Sequence, residues 1–207
     1  MRLGEFCYTM PMLTKQSIFI AGNSGYALYR IPGLSVTSSG VLIATSEARR
    51  GHGGDWDNND VVMRRSHDGG LTWEETHPVV RQDDYGTGPI SNFVMIADQF
   101  TGALHALFCH NYARIFYMRS DDDGSSFSHP IDITYAAIPL RQHYPWRIIA
   151  AGPGHGLQLR SGRMIVPLWM SDGTGTVLCL YESAGMMRDV NNAAITLARF
   201  DINWVTQ

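Results

Sequence analysis

The sequence predicts an all-β fold assembled from repeated antiparallel sheets, and three observations carry that reading. Apolar residues come in short runs rather than at helical spacing, with 21 glycines and 11% aromatic residues spread between the runs. The octapeptide Ser66-His67-Asp68-Gly69-Gly70-Leu71-Thr72-Trp73 fits Ser-x-Asp-x-Gly-x-Thr-Trp and reads as a hairpin corner. Asp68 can accept backbone N–H groups across the turn, Gly70 supplies a positive φ, and the final aromatic plugs the space beneath. A near copy, Ser120-Asp121-Asp122-Asp123-Gly124-Ser125-Ser126-Phe127, follows 54 residues later and keeps both the hydroxyl and the plug. Each copy follows a short apolar strand, Asp60–Met63 or Ile115–Met118, so the repeating unit is a piece of sheet.

Taken in order, Ser17–Ile20 reads as a first strand and Gly22-Asn23-Ser24-Gly25 as a turn. Tyr26–Leu34 leads into a buried segment that contains Arg30, and a buried guanidinium must be paired. Its partner is either a neighbouring carboxylate such as Glu47 or a ligand carboxylate gripped in a bidentate fork. Gly40–Thr45 is the next strand and runs into Glu47-Ala48-Arg49. Strand alternation places Glu47 and Arg49 on one face and turns Arg50 towards solvent. A glycine-rich loop carries Asp55 and Asp57, while Asp60 opens the following strand and reads as structural. Val94–Ala97 and Leu104–Cys109 pair through a turn at Thr101-Gly102-Ala103. Gly152-Pro153-Gly154-His155-Gly156 lacks the following helix and the Lys-Ser/Thr pair of a phosphate loop, so that reading is rejected.

Composition narrows the function classes. The 207 residues suffice for a single domain, residues 1–207, with a sizeable core. A net charge of −3 gives no electrostatic reason to expect nucleic acid, and no apolar run approaches the length of a membrane helix. Cys7, Cys109 and Cys179 are an odd set; the latter two lie in apolar strand patterns and read as buried thiols. Met1–Gln16 has no continuous apolar stretch, so the default expectation is a cytoplasmic protein, with secretion or a periplasmic site as the alternatives. His52 has no second His or Cys at ligand spacing, and no metal is expected.

The motifs together resemble the sialidase (neuraminidase) family, whose Asp boxes (BNR repeats) match the two octapeptides. Tyr29-Arg30-Ile31-Pro32, Glu47-Ala48-Arg49-Arg50, Gly54-Asp55-Trp56 and Arg64-Arg65-Ser66 follow in that family's order. Gly152–Gly156 and the continuing Gly162–Trp169 match the family's strand that opens a third blade. The resemblance implies a β-propeller of four-stranded antiparallel blades, incomplete here at about three to four of the usual six. It implies an exo-α-sialidase, a glycoside hydrolase that releases terminal sialic acid from glycoproteins, glycolipids and oligosaccharides with retention. Arg30 would then anchor the sugar carboxylate, and Asp55 would act as acid and then base. A carboxyl on a loop that closes over substrate leaves water and is suited to hand a proton to the leaving oxygen. Arg49 would contact the sugar near its 4-hydroxyl, and Asn92 is either a ligand contact or a simple turn residue. Trp169 would lie along the glycerol side chain, or simply pack. No metal or organic cofactor is implied, and the oligomeric state cannot be read from the sequence.

The resemblance also breaks. Thr176–Glu182 and Ala194–Phe200 resemble the last two strands of a complete sialidase, yet only Met170–Gly175 separates them from Trp169. The tyrosine nucleophile, its glutamate partner and two further arginines find no matching context; Tyr181, Arg188 and Arg199 do not supply it. An internal deletion is the expectation, with an inactive or glycan-binding fragment as the alternative function.

Overall fold

A computed structural model describes residues 13–152, 155–173, 176–183 and 194–201. It contains three four-stranded antiparallel sheets, each a meander that uses its strands in chain order. The first consists of β1 (Leu28–Val36), β2 (Leu42–Arg49), β3 (Asn59–Ser66) and β4 (His77–Val80). The second holds β5 (Ile90–Ala97), β6 (Leu104–His110), β7 (Arg114–Ser120) and β8 (Ile131–Asp132). The third begins with β9 (Ile148–Ala151). A separate small hairpin of β10 (Leu157–Gln158) and β11 (Met164–Ile165) follows, before β12 (Leu168–Ser171), β13 (Thr176–Ser183) and β14 (Ala194–Asp201) complete the sheet. β5 packs on β1, β2 and β3, and β9 packs on β5, β6 and β7. These are three successive blades of an open propeller.

Strand alternation fills both sides of the middle blade. Met95, Leu104, Ala106, Phe108, Phe116 and Met118 face the first blade, where they meet Ile43, Val61 and Met63. Val94, Cys109 and Ile115, from the same strands, face the third blade and meet Ile149, Ala151 and Met170. Phe108 and Phe116 stack at 5.2 Å, and Tyr85 closes on Phe108 edge-on at 5.5 Å. A sheet buried on both faces has no strand free to slip, because a one-residue shift would exchange the two cores.

Both octapeptides sit at the β3–β4 and β7–β8 corners and form the same network. Asp68 accepts the Thr72 amide at 2.9 Å and the hydroxyls of Thr72 and Ser66; Ser66 Oγ accepts the Gly70 amide at 2.8 Å. Asp122 accepts from Ser126 and Ser120 in the same way, and Gly124 donates to Ser120 Oγ. Gly70 and Gly124 have φ of +90° and +75°, as the turn requires. Trp73 donates its indole N–H to Gly70 O, and Phe127 packs on the core between the first two blades.

Four expectations need correction, and others fall outside the described residues. Residues 17–20 form no strand; side chains hold this segment in place of a ladder, through Arg64 donating to Ile18 O and Phe19 stacked on Tyr29 at 5.3 Å. Arg30 is exposed, because it lies with Pro32, Leu34 and Val36 on the uncovered face of the first sheet. Arg50 is no free surface charge: it grips Asp60 at 2.7 Å and Asp83 at 3.0 Å. The innermost strand of the third blade is β9, ahead of the glycine-rich Gly152–Gly156 segment rather than after it. Met170–Gly175 joins β12 to β13 as neighbours in one sheet, with Ser171 opposite Val177, so the junction leaves the blade's ladder intact. Cys109 is a buried thiol whose pKa burial pushes up to about 12; Cys7 and the side chain of Cys179 lie outside the described residues.

Two outcomes follow. Phe108→Ala removes a side chain with no exposed surface and is expected to cost about 3–5 kcal/mol of stability in denaturant unfolding. Asp68 and Asp122 are held at about 2 against an ordinary 3.8, chiefly by the hydroxyl and amide of Thr72 and of Ser126. A depressed carboxylate contributes stability above its unfolded value and loses it as pH falls through the folded one. Denaturant midpoints of the native chain should therefore fall between about pH 4 and pH 2. Those of an Asp68→Asn, Asp122→Asn double variant should start lower and fall less.

Candidate active site

The other end of the same strands, away from the octapeptide corners, gathers the charged residues. β2 alternation puts Glu47 and Arg49 on the face towards the second blade, and both side chains are 1% exposed. Glu47 Oε2 accepts Arg49 Nη2 at 2.6 Å, and Glu47 Oε1 accepts the backbone N–H of Asn92 at 2.9 Å. Burial pushes the Glu47 carboxyl above its usual range, while the Asn92 amide and Arg49 pull it back. Burial also works against the Arg49 charge, but hydrogen bonds to Glu47 and Asp55 outweigh it and hold the proton more tightly than usual. A buried ion pair survives desolvation when further hydrogen bonds support it, and here every polar atom of the two side chains except Arg49 Nε has a partner.

Arg49 then reaches into the β2–β3 loop. Its Nη1 donates to Gly53 O at 2.6 Å and to Asp55 Oδ1 at 2.9 Å. Asp57 Oδ2 accepts the Gly53 amide at 3.2 Å. Gly53 sits at φ +86°, and a Cβ there would lie 2.5 Å from Leu28 Cδ2, so only glycine fits. At the solvent-facing rim, Arg30 Nη1 donates to the same Asp55 Oδ1 at 3.0 Å, with Arg30 49% and Asp55 56% exposed. Asp60, with no exposed surface, accepts Tyr26 Oη at 2.7 Å, the Gln82 amide and Arg50, which makes it a brace behind the loop.

The two innermost strands are shaped alike. β1 loses register between Arg30 and Gly33, with Ile31 at φ +52°, and β5 loses register between Ser91 and Val94, with Asn92 at φ +55°. A bulge re-aims the residues around it. In β1 it leaves Arg30 opposite Glu47 at the strand end; in β5 it delivers the Asn92 amide to Glu47.

Arg30, Arg49, Asp55 and the backbone of Asn92 thus form one cluster. Trp169 joins it through two aromatic side chains that the sequence did not single out. Tyr112, in the β6–β7 loop at φ +48°, is buried; its ring lies 4.8 Å from Trp56 and 6.0 Å from Trp169. Burial pushes its phenol up to about 12, helped by the Glu47 charge. The three rings come from three blades and form a wall beside Asp55. Trp56 stood in the Gly54-Asp55-Trp56 motif without a role, and nothing in His110-Asn111-Tyr112 marks a tyrosine held in the left-handed region. Among the described residues, no group of three or more His, Cys, Asp or Glu side chains is arranged to hold a metal.

The BNR repeat-like domain family matches residues 40–196. The chain is 26% identical over 180 residues to a sialidase of Bacteroides fragilis, covering 74% of this chain and 32% of that protein. It is 30% identical over 173 residues to a sialidase of Micromonospora viridifaciens, covering 73% of this chain and 26% of that one. The chain therefore spans about a third or less of the length of these relatives. A Hadza microbial sialidase superposes with a TM-score of 0.62 at 23% identity, over 87% of this chain and 46% of the other, and shares the fold.

The buried pair and the exposed ones should respond differently to truncation. Glu47→Ala strands the Arg49 charge and is expected to cost about 3–5 kcal/mol in denaturant unfolding. Arg119→Ala, which removes half of the exposed Arg119–Asp121 pair, is expected to leave the denaturant midpoint nearly unchanged.

Proposed function

Because the chain belongs to the BNR-repeat family of sialidases, we propose that its site recognises terminal sialic acid on glycans and serves its hydrolysis with retention. The observation that supports this most is the shared contact at Asp55 Oδ1: one carboxylate sits at the rim between an exposed arginine and a buried one. In this reading Arg30 anchors the sugar carboxylate through its fork of donors. Asp55, 56% exposed and on a loop, gives a proton to the leaving oxygen and later takes one from water. Asn92 borders the polar ring substituents, Arg49, wholly buried, acts on the site through Asp55, and Trp169 belongs to the aromatic wall against which the sugar's CH groups pack. The anomeric carbon of such a sugar already bears a carboxylate, so a neutral nucleophile avoids charge repulsion on the opposite face. The residues assigned here supply the anchor and the acid; they do not include that nucleophile.

Hydrolysis of a fluorogenic sialoside by the full chain tests the reading. Asp55→Ala is expected to lower turnover by about 10²–10⁴-fold, the usual contribution of a positioned acid. Turnover indifferent to that substitution would overturn the assignment, and sialic acid binding without any turnover would favour the glycan-binding alternative.

A further inference from the structure

The two arginines that meet at Asp55 are not equivalent. Arg49 is wholly buried and committed to Glu47, Gly53 O and Asp55. Arg30 is half exposed, and among the described residues Asp55 is the acceptor for its guanidinium, engaged through Nη1 at 3.0 Å. Its fork is thus half used, and the group using it has the chemistry of the carboxylate an acidic sugar would bring. The other charged or titratable groups nearby are already placed. Glu47 is taken by Arg49 and the Asn92 amide, Asp57 accepts the Gly53 amide, and Tyr112 is buried behind Trp56.

We propose that Asp55 stands in for the ligand's carboxylate at Arg30, and that an acidic sugar enters by exchange. The incoming carboxylate takes the Arg30 guanidinium, and Asp55 keeps Arg49 and is freed on the other side. This rests on the sialic acid reading and adds to it a basis for selectivity: only a ligand that carries a carboxylate releases the acid. No covalent bond changes in the exchange. One solvent-exposed ion pair replaces another of the same chemistry, and such pairs are weak enough to trade places. Arg49 is the fixed partner because removing its carboxylates would strand a buried charge.

The test is calorimetric titration of free sialic acid into the full 207-residue chain and four variants, each checked for native thermal unfolding. Asp55→Asn removes the internal competitor and is expected to bind roughly two- to fivefold tighter than the native chain. Asp55→Ser, which leaves the fork free by truncation, should shift the same way. Asp84→Asn removes an equal charge at an exposed position of the Gln82–Asp84 turn without touching Arg30 or the Asp55 loop and should leave affinity unchanged. Arg30→Ala should lose binding. If Arg30 is required but neither Asp55 variant binds tighter, or Asp84→Asn tightens binding as much, the exchange is wrong and the sialic acid reading stands. If no form binds, or Arg30→Ala binds as well as the native chain, both fall.

Discussion

The hydrogen-bonded pair of Glu47 and Arg49 is the interaction on which the rest of this site depends. Two opposite charges with 1% exposure can remain only if the polar atoms that carry them are answered, and here all of them but Arg49 Nε are. The answers come from different parts of the chain: the Asn92 amide from the second blade, Gly53 O and Asp55 from the loop after β2. The requirement that stabilises the pair therefore also fixes the distance between two blades and the position of a loop. Loss of any one of these partners would leave a charged group short of a bond in a place water does not reach.

The bulges in β1 and β5 follow from the same requirement. A regular strand alternates, and an alternating β5 would direct its amides only along the ladder to β6. Breaking register after Ser91 turns one amide out of the ladder and towards Glu47. The matching break in β1 places Ile31, a β-branched residue, at φ +52°, which is unfavourable in isolation. Both irregularities lie at the charged end of the sheets, and the opposite end has the hydrogen-bonded octapeptide corners. Strain and stabilisation are thus separated along the strands.

What the sequence made legible is what local chemistry determines. The octapeptides read correctly because their hydrogen bonds close within a few residues, and Glu47 and Arg49 read correctly because strand period alone puts them on one face. The number of blades was bracketed by the resemblance, and the three sheets lie within that bracket. What stayed hidden depends on contacts between distant segments. The exposure of Arg30 follows from its face of the first sheet being left uncovered, which no local pattern states. The pairing of Arg50 with Asp60 and Asp83 needs the Gln82–Asp84 turn, over twenty residues away, to return to the loop. Tyr112 was invisible because its role comes from a backbone conformation that bulky residues seldom adopt, and from rings on two other blades.

The placement of Asp55 can then be traced through one chain of dependence. Its loop is not part of any ladder, and the turn closed by the Asp57 amide on Gly54 O orients the backbone but not the carboxylate. Beyond the exposed contact to Arg30, three side-chain contacts fix it: Arg49 to Gly53 O, Asp57 to the Gly53 amide, and Arg49 to Asp55 itself. Two of the three run through Arg49, which is oriented by Glu47, which is oriented by the amide that the β5 bulge presents. A carboxylate on an irregular loop is thus registered by an irregularity in a neighbouring blade. Either blade alone would leave Asp55 without a defined position, so this site is a property of the packed pair of sheets, whatever ligand it takes.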